Sequence, residues 1–174
     1  MRKVIMLGLA TFLSAADLSQ VIESPDATAI LKKDALPAPK VYVMPEGCVS
    51  DDAAVIARGK YLFHNLNGKD AKDNPPEGLS RKMADGKTEK QYGNCVACHN
   101  IEGAKGYGDI GPDLSNYKKL FIESGARNAQ FMYQKIADAR IDNPKTHMTI
   151  NLTNGLFNER EVCDLVSYIA ATKK

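Results

Sequence analysis

The stretch GNCVACHNIEGAKGYGDIGPDL (93–114) holds two of the chain's four cysteines, one of its three histidines and a Gly-Pro turn. Cys95, Cys98 and His99 stand at positions i, i+3 and i+4. On a helical turn those positions share one face, so two thiols and an imidazole converge on one object. The Gly111-Pro112 turn follows thirteen residues after His99 and supplies a backbone that can fold back over the same group.

Cys95-Val96-Ala97-Cys98-His99 is CxxCH, the attachment sequence of c-type haem, in which the thiols add to the porphyrin and the imidazole reaches the iron. A redox dithiol would expect a βαβ surrounding, and a zinc site would expect a second ligand pair at short spacing. Neither pattern is found here, since Cys48 and Cys163 lie far apart. The reading is therefore one covalently bound haem c, with His99 as an iron ligand. GPDL (111–114) resembles the Gly-Pro-x-Leu turn of class I cytochromes c. That resemblance implies that the Pro112 carbonyl fixes the other imidazole nitrogen, as a metal-ligating histidine requires.

The flanking sequence is helical. SDDAAVIARGKYLFHN (50–65) offers a cap, an acidic first turn and Val55, Gly59 and Leu62 at helical spacing. Ala129, Met132, Ile136 and Ala139 predict a helix over 126–141, which Asn143-Pro144 would end. The last helix is marked by Asn158 and Glu161 at capping-box spacing and by Val162, Leu165, Val166 and Ile169. Residues 65–91 are polar, with a Pro pair and three glycines, and read as a solvated surface insertion. No alternating strand pattern follows residue 50. The expected body, 50–174, is thus an all-α, class I cytochrome c-like domain. Gly59-x-x-x-Phe63, with Leu165 and Tyr168, resembles the crossing of the first and last helices in that class.

For the second axial position the candidates are Met148 and its neighbour His147, with His64 more remote; Met132 reads as core. Met148 follows the middle helix and precedes the last, where class I cytochromes carry their methionine. A thioether raises the potential relative to imidazole, which suits an electron acceptor.

At the N-terminus, basic Arg2 and Lys3, an apolar run from Val4 to Leu13 and small residues at 14–16 read as a signal peptide over 1–16. The run is too short for a membrane span, which needs roughly 20 residues. The expectation is a periplasmic protein without a membrane span once cleaved. Cleavage after Ala16 leaves 21 basic and 21 acidic side chains, no excess for gripping a phosphate backbone, so nucleic acid is an unsuited partner. Residues 17–49 contain four prolines and read as an extended arm, either a loose leader or a strap across the body or a partner, in which VYV (41–43) is a candidate short strand.

From Tyr92 onward the chain resembles the SoxX family, the monohaem subunits of a sulfur-oxidation cytochrome complex. The residues are YGNCVACH (92–99), GDIGPDL (108–114), IADARIDNPKTHM (136–148) and NGLFNEREVCDLVSYI (154–169). Thr149 departs from the family, which has proline after its ligand methionine. The resemblance implies an electron-accepting subunit in periplasmic thiosulfate oxidation. Its partners would be a SoxA-like haem subunit that carries the sulfur chemistry, a sulfur-carrier protein, and a cytochrome c that takes the electrons. The other reading is a free-standing monohaem electron carrier. In the class I arrangement the first and last helices cross, so Cys48 and Cys163 could pair if their Cα atoms come within about 7 Å. Otherwise Cys163 is a buried thiol, with Cys48 free or paired to another chain.

Overall fold

The computed structural model describes residues 36–104 and 108–171, so the expected signal peptide and most of the arm lie outside the described residues. The chain divides after Leu36, and Pro37 onward forms one unit. Among its described residues the α-helices are α1 (Ala53–His64), α2 (Ala129–Ala137) and α3 (Glu159–Ala170). Three short helical turns accompany them, at Cys95–Ala97, Lys118–Ile122 and Ala139–Ile141. Among the described residues there is no strand, only isolated bridges at Asn67–Gln91 and Lys82–Glu89, and the all-α expectation holds. No helix of the described residues is long and apolar enough to cross a membrane.

Helix α1 begins where the Asp52 carboxylate accepts from the amides of Ala54 (2.8 Å) and Val55 (3.2 Å). The acidic pair therefore serves as a cap before the helix, and the first turn itself carries no acid. Helix α3 begins with the expected capping box. Asn158 accepts from the Glu161 amide at 2.9 Å, and Glu161 accepts from the Asn158 amide at 3.1 Å.

These two helices cross at Gly59. A β-carbon there would sit 2.0 Å from the Asp164 carbonyl oxygen and 2.7 Å from Tyr168 Cβ, so only glycine permits the approach. Around the crossing, Phe63 packs edge-on against Tyr168, and Arg58 grips Asp164 through two bonds of 2.8 and 2.9 Å. Cys48 and Cys163 form a disulfide with Cα atoms 4.9 Å apart. Of the alternatives open for those cysteines, the intrachain pairing is the one found.

Helix α2 stops four residues short of the expected end. Asp138 leaves the helix at φ −157° and spends its carboxylate on capping the next turn, Ala139–Ile141. Asn143-Pro144 comes too late to be the breaker. Of the predicted inner face, Met132, Ile136 and Ala139 are buried, joined by Tyr133 and Ala137, while Ala129 at the start of the helix is half-buried.

Residues 65–91 are more firmly held than a solvated excursion would be. The Arg81 guanidinium donates to the carbonyls of Gly68, Ala71 and Asp73, each at 2.7 Å. Lys90 pairs with buried Glu161 at 2.9 Å, and Arg160 donates to the Gly78 carbonyl, so α3 is tied to this segment at its first turn.

Residues 37–44 form a strap along α2 and not a strand. Gln134 donates to the Lys40 carbonyl and accepts from the Tyr42 amide, while Gln130 donates to the Tyr42 carbonyl and accepts from the Met44 amide. Two glutamines one helical turn apart thus take the place of a neighbouring strand for alternate residues of an extended chain.

Candidate functional site

Cys95–Ala97 is a single 3-10 turn, and the His99 amide reaches back to the Cys95 carbonyl at 2.8 Å. The turn is entered through Asn94 in the left-handed region (φ 44°), a conformation asparagine tolerates better than most residues. It places Cys95 and Cys98 close together as free thiols, both half-buried.

His99 Nδ1 donates to the Pro112 carbonyl at 2.8 Å. The acceptor fixes the tautomer, so Nε2 is left with its lone pair, ready for a metal. The Gly-Pro turn reaches this position because the Gly111 amide donates to the Cys98 carbonyl and Leu114 to that of Asn100, each at 2.8 Å.

Three glycines make the approach possible, and their roles were not evident from the sequence. A β-carbon on Gly111 would lie 2.4 to 2.9 Å from three atoms of the His99 ring. One on Gly108 would lie 2.3 to 2.5 Å from the Cys98 backbone, and one on Gly93 would lie 2.7 Å from Cys95 Sγ. Glycines flanking CxxCH on both sides were the available signal; what each touches requires the fold.

Burial pushes the Cys95 thiol up to about 12. A catalytic dithiol is served by the opposite, a lowered thiol that ionises near neutrality, so the burial of Cys95 disfavours that thiol as a redox nucleophile.

The candidates for the second axial position sit in different surroundings. Met148 is half-buried and packs against the same apolar core as Cys95 and Val96. His147 is exposed. His64 sits at the end of α1 with Nε2 2.8 Å from the Tyr168 hydroxyl, committed to the helix crossing. Met132 is buried in the core at 4% exposure.

The cytochrome c family model matches residues 56–173, which takes in most of α1, the CxxCH turn, the Met148 loop and all of α3. The chain belongs to the cytochrome c family. Among curated proteins none matches it significantly. Membership makes haem c the covalent cofactor and electron transfer the chemistry. The residues present fit a c-type cytochrome: two adjacent free thiols, an imidazole with one nitrogen already satisfied, and a cradle that β-carbons at Gly93, Gly108 and Gly111 would crowd.

Proposed function

We propose that this cytochrome c is the electron-accepting, monohaem subunit of a periplasmic thiosulfate-oxidising complex. Cys95 and Cys98 would carry the thioether attachments of the haem, and His99 and Met148 would supply the ligands to its iron. The observation that carries the sulfur-oxidation reading is the match of IADARIDNPKTHM (136–148) and NGLFNEREV (154–162) to the SoxX pattern, because CxxCH and GPDL serve any class I cytochrome.

Bound haem c supplies one-electron chemistry at its iron. The chain's own residues prepare that site. Pro112 holds the His99 proton on Nδ1 and makes the imidazole a stronger donor. Gly111 lets the turn lie against the ring, and Met148 contributes a soft ligand that favours the reduced state. In the proposed complex, a SoxA-like subunit joins thiosulfate to a cysteine of a sulfur carrier and releases two electrons. This chain accepts them singly and passes them to a cytochrome c.

The strap at 37–44 and the docked segment 65–91 enlarge the surface beyond what a small shuttle needs, which favours a subunit over a free carrier. Co-purification from periplasm tests the reading. The expected result is a heterodimer whose thiosulfate-dependent cytochrome reduction requires this chain. A monomer that adds nothing to that reduction overturns it in favour of the free carrier.

A further inference from the structure

Asp138 is fully buried, and both of its oxygens are used. Oδ1 accepts from the backbone amide of Arg140 at 3.2 Å and from Arg140 Nε at 2.9 Å. Oδ2 accepts from Arg140 Nη2 at 2.7 Å, from the Thr153 hydroxyl at 2.7 Å and from the Lys40 amide at 3.3 Å. Arg140 spends its remaining amino group on the Pro37 carbonyl at 2.7 Å. One carboxylate therefore touches three separate pieces of chain.

Two of those pieces are the ends of a single loop. Asp138 caps the turn Ala139–Ile141, where the chain leaves α2, and holds Thr153, where it returns. The return is registered residue by residue against the last turn of the helix. Asn151 donates to the Ile136 carbonyl at 2.8 Å, the Leu152 amide donates to the Ala137 carbonyl at 3.1 Å, and Thr153 donates to Asp138. Met148 rides on this loop, three residues before the first of these contacts. Closing a loop at both ends removes the freedom that would let a ligand side chain swing away.

We propose that Asp138 is a positioning residue for Met148. It closes the loop 139–153 and braces it with the strap, so that residues 37–42 belong to the scaffold of the axial ligand. The proposal rests on the reading of Met148 as the iron ligand. Asp164, the buried partner of Arg58, is the natural control, since it fixes the crossing of α1 and α3 and touches neither end of this loop.

The test is titration of the oxidised holoprotein with imidazole, which competes with the thioether for iron, read alongside the sulfur-to-iron charge-transfer band. Losing one hydrogen bond to a charged group changes an equilibrium by about tenfold. Asp138→Asn and Thr153→Val are each expected to bind imidazole about tenfold more tightly than wild type, while Thr153→Ser restores wild-type affinity. Asp164→Asn should lower the unfolding midpoint and leave imidazole affinity unchanged. If Asp138→Asn fails to yield holoprotein, Thr153→Val and its serine rescue decide. Unchanged affinity in Thr153→Val, or an equal tightening in Asp164→Asn, overturns the proposal. Met148→Ala separates the two levels: retention of the charge-transfer band there removes the ligand assignment and the proposal with it, whereas loss of the band there with an unmoved Thr153→Val removes the proposal alone.

Discussion

His99 itself is held by near neighbours, the Cys95 carbonyl and the Pro112 carbonyl thirteen positions on, while the entry of its turn, Gly93 and Asn94, donates to the carbonyls of Leu62 and Asn65 at the end of α1. The loop that carries Met148 leans on a strap about a hundred positions upstream: Lys40 reaches Asp138, Arg140 reaches Pro37, and Tyr42 meets Thr153. The two sides also differ in material. Around His99 the contacts are backbone hydrogen bonds and missing β-carbons; around Met148 they are a buried carboxylate, a guanidinium and hydroxyls. A frame of the first kind needs only the haem-motif segment and the end of α1 beside it. The second kind exists only once distant pieces have assembled, and it depends on charge.

The largest expected effect acts on the distant frame. The Cys48–Cys163 bond spans 115 residues and anchors the strap's C-terminal end to α3. In the chain-entropy model, closing a loop of that size stabilises by about 4–5 kcal/mol. Cys48→Ser with Cys163→Ser should lose an amount of that order in denaturant unfolding. The Met148 side should loosen first: imidazole should bind more tightly while both thioether attachments persist. If the His99 side fails at the same denaturant concentration as the Met148 side, the two frames are one.

Gly111→Ala is the complementary blow to the local frame. Its β-carbon would meet three ring atoms of His99 closer than van der Waals contact allows, and overpacking of this kind costs about 1–3 kcal/mol. The turn or the imidazole must shift. We expect reduced haem incorporation and altered reduced-state absorbance, with the strap's hydrogen bonds intact by amide hydrogen exchange. Pro112→Ala, which keeps the carbonyl, should be milder.

This division explains what could be read from the sequence. CxxCH, the Gly-Pro turn and the capping box at Asn158 are legible because each is a short pattern whose partners lie within a few residues. Gly59 was legible at longer range only through the resemblance of Gly59-x-x-x-Phe63 to the helix crossing of class I cytochromes. Asp138 was not: it looks like one more residue of the helix predicted over 126–141, and only its burial beside Arg140 shows why the helix stops there. The strap was one of two readings that the arm left open, and no local pattern reveals that Gln130 and Gln134 take its backbone bonds and so decide between them. Contacts between residues a hundred positions apart leave no period in one sequence.

Acid should separate the frames next. The Arg140 guanidinium, followed by the Thr153 hydroxyl and the amides of Arg140 and Lys40, holds the Asp138 carboxyl well below the ordinary carboxylate range. A group depressed in the folded state stabilises fully above its unfolded value, about 4, and loses that contribution as pH falls through the folded one. Wild type should therefore lose stability on the acid side more steeply than Asp138→Asn, measured as unfolding midpoint against pH from about 5 downward. Equal slopes would mean that the carboxylate contributes nothing to the acid limb.

The smallest effect tests whether the strap reaches the loop through a single bond. The Thr153 hydroxyl has one proton, and the Asp138 carboxylate, which can only accept, takes it at 2.7 Å. In the 3.1 Å contact between Tyr42 and Thr153 the tyrosine must then be the donor. Tyr42→Phe deletes that donor alone, leaving the ring against the core and the glutamine bonds to the Tyr42 backbone in place. The Thr153 oxygen loses its donor but the hydroxyl keeps Asp138, so the expected cost is about 0.5–1.5 kcal/mol in the stability read from denaturant unfolding. Imidazole affinity should rise by less than in Thr153→Val, because the loop end is still held by the carboxylate. An affinity equal to that of Thr153→Val would shift the burden from Asp138 to the strap, making Tyr42 the residue through which the upstream segment fixes Met148.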